Sequence, residues 1–122
     1  MTKNLTEVKR DVYKVDATGM AIGRLASDVA AHLIGKHKPG YETHIDVGDF
    51  VEVSNVDKVT FTGKKYEQHL HYTHSSQPGG LKTKTTREIF EKNPTKLLQI
   101  AVSRMLPKNQ HRTERLKRLK TV

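Results

Sequence analysis

The sequence predicts an α/β fold in which helices pack against a small parallel sheet. Three observations predict it. A short strand-like run, Val12-Tyr13-Lys14-Val15, passes through Thr18-Gly19 into apolar residues at helical spacing. A second such run, Phe50-Val51-Glu52-Val53, follows that helix, so strand, helix and strand make a βαβ unit, whose crossover favours parallel pairing. The chain has 122 residues, enough for one domain and too few for two of comfortable size.

Taken in order, residues 1–10 are polar and read as a loose arm. Ile22, Leu25, Ala26, Val29, Ala30 and Leu33 then place one apolar face on a helix over residues 21–34. Gly35 can take the left-handed conformation that ends a helix, and Pro39 cannot continue one. Between them Lys36, His37 and Lys38 offer three donors on a single loop. A turn at Gly48-Asp49 leads into the strand at Phe50–Ser54. Val59 and Phe61 alternate with Thr60 and Thr62, which predicts a third strand, and Gly63-Lys64-Lys65 forms a second basic loop. Residues 68–73 read as extended, closing at the Gln77-Pro78-Gly79-Gly80 turn. The remainder is expected to be helical. Thr85 and Glu88 have capping-box spacing. Asn93 suits an N-cap with Pro94 in the first turn, and Leu98, Ala101, Val102 and Met105 make an apolar stripe ending at Pro107. Residues 108–122 form a basic C-terminal extension of the one domain, which spans residues 1–122.

Twenty-two Lys and Arg face 13 Asp and Glu, leaving a net charge of +9 and an isoelectric point near 9.9. Such an imbalance in a small domain favours a polyanionic partner. Hydrophobic residues make up only 34% of the chain, so the core is modest and a partner is expected to support it. With no cysteine, disulfides, thiolate nucleophiles and cysteine-ligated zinc are excluded, which suits a reducing compartment. No apolar run is long enough to span a membrane, and the first residues lack the apolar stretch of a signal peptide, so the cytoplasm is the expected location.

The strongest chemical signal lies between Arg104 and Lys120, where seven cations stand against one acid, Glu114. Leu116 and Leu119 give that stretch a thin apolar seam, too little for membrane insertion. Self-repulsion there calls for counterions, and nucleic acid supplies them. Lys82, Lys84 and Arg87, beside the Pro78-Gly79-Gly80 turn, and the two basic loops extend the cationic surface; the two glycines leave room for another backbone to approach. Tyr41, Tyr66 and Tyr72 can stack on bases or simply pack. His69 and His71 share a strand face but His74 does not continue it, and no carboxylate lies in the run, so a metal site is not expected. Gly19-Met20-Ala21-Ile22-Gly23-Arg24 matches neither phosphate-loop pattern, so no cofactor is expected. Asp16, Asp46 and Asp49 sit near turns, where aspartate usually satisfies backbone amides, and no nucleophile elbow occurs. No catalytic constellation emerges.

Several strings in order make a more specific case. They are Val15-Asp16-Ala17, Gly23-Arg24-Leu25-Ala26-Ser27, Gly35-Lys36-His37-Lys38-Pro39, and His44-Ile45-Asp46-Val47-Gly48-Asp49-Phe50-Val51. Thr62-Gly63-Lys64-Lys65, Pro78-Gly79-Gly80-Leu81-Lys82, Met105-Leu106-Pro107-Lys108-Asn109 and Leu116-Lys117-Arg118-Leu119-Lys120 continue them. Together they resemble the large-subunit ribosomal protein L-thirteen family in its bacterial form, over residues 13–120. The resemblance implies a three-layer α/β/α fold with a mostly parallel sheet. It implies a non-enzymatic constituent of the large ribosomal subunit that binds 23S-type rRNA, supports early assembly and abuts neighbouring ribosomal proteins. It carries RNA contact onto Lys36, His37, Lys38, Lys64, Lys65, Gly79, Gly80, Lys82, Lys108, Arg112, Arg115, Lys117, Arg118 and Lys120. Arg112 stands where the family usually has glycine, and the family's common tryptophan before Tyr13 is missing. Neither a membrane partner nor a homo-oligomer is expected. The alternative from another class is a nucleotide-dependent enzyme built on the βαβ unit.

Overall fold

A computed structural model describes residues 9–122; the expected loose arm falls mostly outside them. Strand β1 (Val12–Asp16), helix α1 (Ile22–Ile34) and strand β2 (Phe50–Ser54) form the anticipated βαβ unit, with β1 and β2 parallel and Tyr13 opposite Val51. A short 3₁₀ turn (Val56–Lys58) leads to helix α2 (Lys65–Gln68), then to the antiparallel hairpin of β3 (Leu70–His74) and β4 (Leu81–Thr85). Helices α3 (Thr86–Lys92), α4 (Pro94–Met105) and α5 (His111–Lys117) follow, and strand β5 (Leu119–Thr121) closes the chain.

The main sheet has the order β1-β2-β5, with both pairings parallel, so an α/β fold with a small parallel sheet is what the chain adopts. Val51, Val53 and Leu119 face one buried cluster with Leu25, Ala26, Val29 and Leu33 of α1 and Leu98 and Val102 of α4. The spacing of these α1 residues explains why the helix forms here: they fall on one stripe, and the sheet and α4 bury it. On the other side of the pleat Val12, Lys14 and Lys120 are exposed, and Lys120 Nζ lies 5.9 Å from the Phe50 ring centre.

Helix ends follow the local chemistry. Gly35 takes φ +89° and donates to Ala31 O at 3.0 Å, and a Cβ there would press on Val47. Thr85 accepts from Glu88 N, and Asn93 accepts from Thr95 N with Pro94 in the first turn of α4.

Three expectations need correction. The segment 59–62 is not a strand: only Thr60 bridges to Ala21, because its partner segment turns into α1 one residue later. The C-terminal part is not all helix, since Leu81–Thr85 and Leu119–Thr121 are strands. Met105 does not complete the α4 stripe; it is 42% exposed, whereas Leu97 is buried.

Candidate nucleic-acid interface

The residues expected to meet an anion divide into an internal set and an external one. The internal set gathers at the end of the sheet where β1, β2 and β5 begin. Arg118, between α5 and β5, donates from Nη1 and Nη2 to Asp46 Oδ2 and Oδ1 at 2.7 and 2.8 Å, and also from Nη2 to Leu33 O at 2.9 Å. Arg115 Nε lies 3.5 Å from Asp46 Oδ1, and Arg10 donates to Gly48 O and Asp46 O. Asp46 is 5% exposed, Arg118 8% and Arg115 2%. Burial pushes the Asp46 carboxyl up. The Arg118 hydrogen bonds and charge, with Gly48 N–H and Arg10, overrule it and hold the group below the usual carboxylate range. Burial, reinforced by Arg118, pushes the Arg10 guanidinium down against the pull of Asp46 and Asp49.

Arg115 and Arg118 are therefore not surface cations, contrary to the expectation that they contact RNA. Residues three apart share a helix face, and here that face turns inward onto a buried carboxylate. The signal was present: Asp46 lies between Ile45 and Val47, both buried, and an ionised carboxylate in such a place requires a cation. Gly48 makes the approach possible, because a Cβ there would overlap the Leu33 carbonyl and lie 2.8 Å from Arg118 Nη2.

Asp49, also buried, fixes the first basic loop. Its Oδ1 lies 2.6 Å from Lys38 Nζ and accepts from Asp11 N, while Oδ2 lies 2.9 Å from His37 Nε2. Burial pushes this carboxyl up too; Lys38, Asp11 N–H and His37 bring it below its ordinary value. His37 also stands 4.6 Å from the His32 ring, which stacks flat on Tyr13 at 3.7 Å. The loop thus presents Lys36 to solvent while His37 and Lys38 hold its shape, keeping only part of their surface outside.

The two basic loops do not meet. Residues 36–38 precede β2, whereas Lys64 and Lys65 follow the bridge at Thr60, at the sheet's opposite end. Five-residue strands put roughly 16 Å between those ends. Lys65 instead neighbours Arg104, since both line one cavity, and Arg104 lines a second cleft with Lys96 and Arg112. Lys108 and Arg112 share a third. The external set is consequently a continuous cationic band along α4, running from Lys65 through Arg104 and Lys96 to Arg112 and Lys108. Arg112 is braced by Ser103 through its Nε at 3.1 Å. Lys96, Arg104 and Lys108 have no ion pair among the described residues. Lys96 is not assigned from sequence, and Arg104 is counted only with the basic stretch that follows it, although Lys96, Ile100 and Arg104 recur at four-residue steps along one helix face.

Of the remaining expected contacts, Lys82 is exposed on β4, Lys117 is exposed 3.9 Å from Glu114, and Lys120 is exposed on the sheet's outer side. Gly79 takes φ +74° with open space around it. Gly80 is needed by its own turn, where Ser75 fills the space a Cβ would take, so the close approach it permits is internal. Asp16 behaves as an aspartate near a turn should. Asn55 and both polar groups of Thr18 donate to it and hold its carboxyl at about 2. No group of three metal-ligating side chains gathers among the described residues.

A family model described as "Ribosomal protein L13" matches residues 10–122. A protein of Thermotoga petrophila named "Large ribosomal subunit protein uL13" is 54% identical over 114 residues, covering 93% of this chain and 76% of the relative. Proteins of the same name from Aquifex aeolicus and Thermosipho africanus are 51% and 50% identical over 114 residues, each covering 93% of this chain and respectively 79% and 76% of the relative.

Proposed function

The chain belongs to the ribosomal protein L13 family, and from that premise we propose that it is a structural, non-enzymatic constituent of the large ribosomal subunit in the cytoplasm. It binds the subunit's 23S-type RNA, supports early assembly and abuts neighbouring ribosomal proteins. The observation that carries the RNA reading is the band of Lys65, Lys96, Arg104, Lys108 and Arg112, exposed or half-buried along one face, with no carboxylate lining the clefts they share. Recognition works by charge and shape: lysines and arginines neutralise phosphates without reading sequence. The loop of Lys36–Lys38, together with Lys64, Lys82, Lys117 and Lys120, adds contacts outside the band. Arg115 and Arg118 are left out of the contact set because they serve Asp46.

The test is the salt dependence of binding between the purified chain and transcribed large-subunit rRNA. Replacing Lys96, Arg104 and Lys108 together by Gln removes three candidate phosphate contacts, so the slope of log K against log salt should fall by about 2–3 units. An unchanged slope would mean that the band faces water or protein.

A further inference from the structure

Between the foot of the β3–β4 hairpin, the start of α1 and the flank of α4 lies a cavity of about 290 Å³. Its floor is apolar, made by Ile22, Leu97, Ile100 and Ala101. Three flat rings, Phe61, His69 and His71, stand in its walls, and Lys65 and Arg104 stand beside them. No carboxylate lines it. A volume at the lower end of small-ligand pockets admits one ring system and no helix.

The wall also has an unmet polar group. Thr86 Oγ1 lies 3.3 Å from His69 O and 3.0 Å from His71 Nε2, so the hydroxyl ties both histidines to the start of α3. His71 Nδ1 is buried and without a hydrogen-bond partner among the described residues. Burial, with Arg104 and His69 nearby, pushes His71 below its ordinary value, so the ring stays neutral at pH 7 and adds no charge to the wall.

We propose that this cavity receives a single unstacked base of the bound RNA, held between the aromatic walls, with its flanking phosphates on Lys65 and Arg104. The inference rests on the RNA reading above and deepens it, because insertion of a base adds a stacking contact to a phosphate-tracking surface. Next to the cavity, the first turn of α1 has no side-chain cap and no acid, so nothing repels the incoming strand.

Gly23 supplies the test. It lines the cavity, is exposed, and a Cβ built on it meets nothing within 4 Å, so Gly23→Phe plugs the mouth without disturbing the core. The full-length variant, its folding checked by circular dichroism, is titrated with transcribed large-subunit rRNA beside the wild type. Loss of one stacked base predicts binding about tenfold weaker. The salt slope should stay the same, since no phosphate contact is removed. Equal affinity of the two proteins would overturn the pocket assignment while leaving RNA binding intact. Equal affinity combined with failure of the variant to enter subunits would give the cavity to a neighbouring protein instead. If wild type itself ignores the RNA at low salt, the underlying reading falls first. Ultraviolet crosslinking of the wild-type complex decides independently of the variant: a nucleotide adduct on peptides containing Phe61, His69 or His71 is expected, and adducts confined to other peptides would refute it.

Discussion

Replacing Asp46 by asparagine keeps the side chain's size and removes its charge. In the folded protein Asp46 and Arg118 are nearly sealed from water, and Arg115 and Arg10 lie within 4 Å of the same carboxylate. The substitution would leave three guanidinium groups around a neutral amide. Two N–H donors of Arg118 would then compete for one carbonyl oxygen. Removing one partner of a buried pair costs about 3–5 kcal/mol, far more than a surface pair is worth. At roughly 3–5 °C per kcal/mol for a chain of this size, the melting point should drop by about 10–20 °C. Urea unfolding followed by circular dichroism would measure it, with an unchanged m-value showing that stability rather than compactness has moved. The double variant Asp46→Asn/Arg118→Met should lose less than the sum of its parts, because Arg118 is no longer stranded. A loss below about 1 kcal/mol for Asp46→Asn would refute the reasoning, since that is the range of an exposed pair.

Gly48→Ala should be at least as damaging, about 3 kcal/mol or more, because its Cβ meets backbone rather than a movable side chain. By contrast Gly23→Ala, in open space on α1, should be neutral or stabilising by up to about 1 kcal/mol; the two melting curves read side by side check both. For pH, Asp16, Asp46 and Asp49 all have depressed folded values, so the folded chain binds fewer protons than the unfolded one. Their contribution is full above the ordinary carboxylate range and is lost as pH falls through the folded values. Urea midpoints should therefore decline between about pH 5 and 2. A flat profile there would show that the carboxylates are as free in the folded protein as in the unfolded one.

The βαβ unit was legible because α1 and its flanking strands each obey one period, and Gly35 marks the boundary with a conformation few other residues take. The β3–β4 hairpin was half legible. Leu81, Thr83 and Thr85 alternate with Lys82 and Lys84, but the exposed burial pattern of both strands gives no apolar contrast to read. Strand β5 was hidden by its length of three residues and by the cations around it. Its partner, β2, lies about seventy residues back in the chain, and no local pattern encodes that pairing. Among the residues expected to contact RNA, Lys36, Lys64, Lys65, Lys82, Lys108, Lys117 and Lys120 stand exposed, as such a role requires. The burial of Arg115 and Arg118 was not legible, because a count of charge in one window cannot see a carboxylate that the fold brings in from residue 46.

This division of the arginines changes what the charge imbalance means. Asp46 and Asp49 are consumed inside, against Arg10, Arg115, Arg118, His37 and Lys38. They hold more cations than there are acids among them, so the surface excess is smaller than the +9 of the whole chain, and Lys96, Arg104 and Lys108, without ion pairs among the described residues, carry part of it beside α4. The same pairs also decide when the loop of residues 36–38 becomes rigid. Asp46 is tied across 72 residues to Arg118, which arrives with the last strand, while Asp49 anchors His37 and Lys38 three residues further on. Docking of β5 beside β2 therefore fixes the segment that positions the loop cations. A chain lacking that strand should lose the ordered loop together with the charge of Lys120, and amide hydrogen exchange at residues 36–48 would register the loss of order. Protection there that survives Arg118→Met would break the link between the C-terminal strand and the loop.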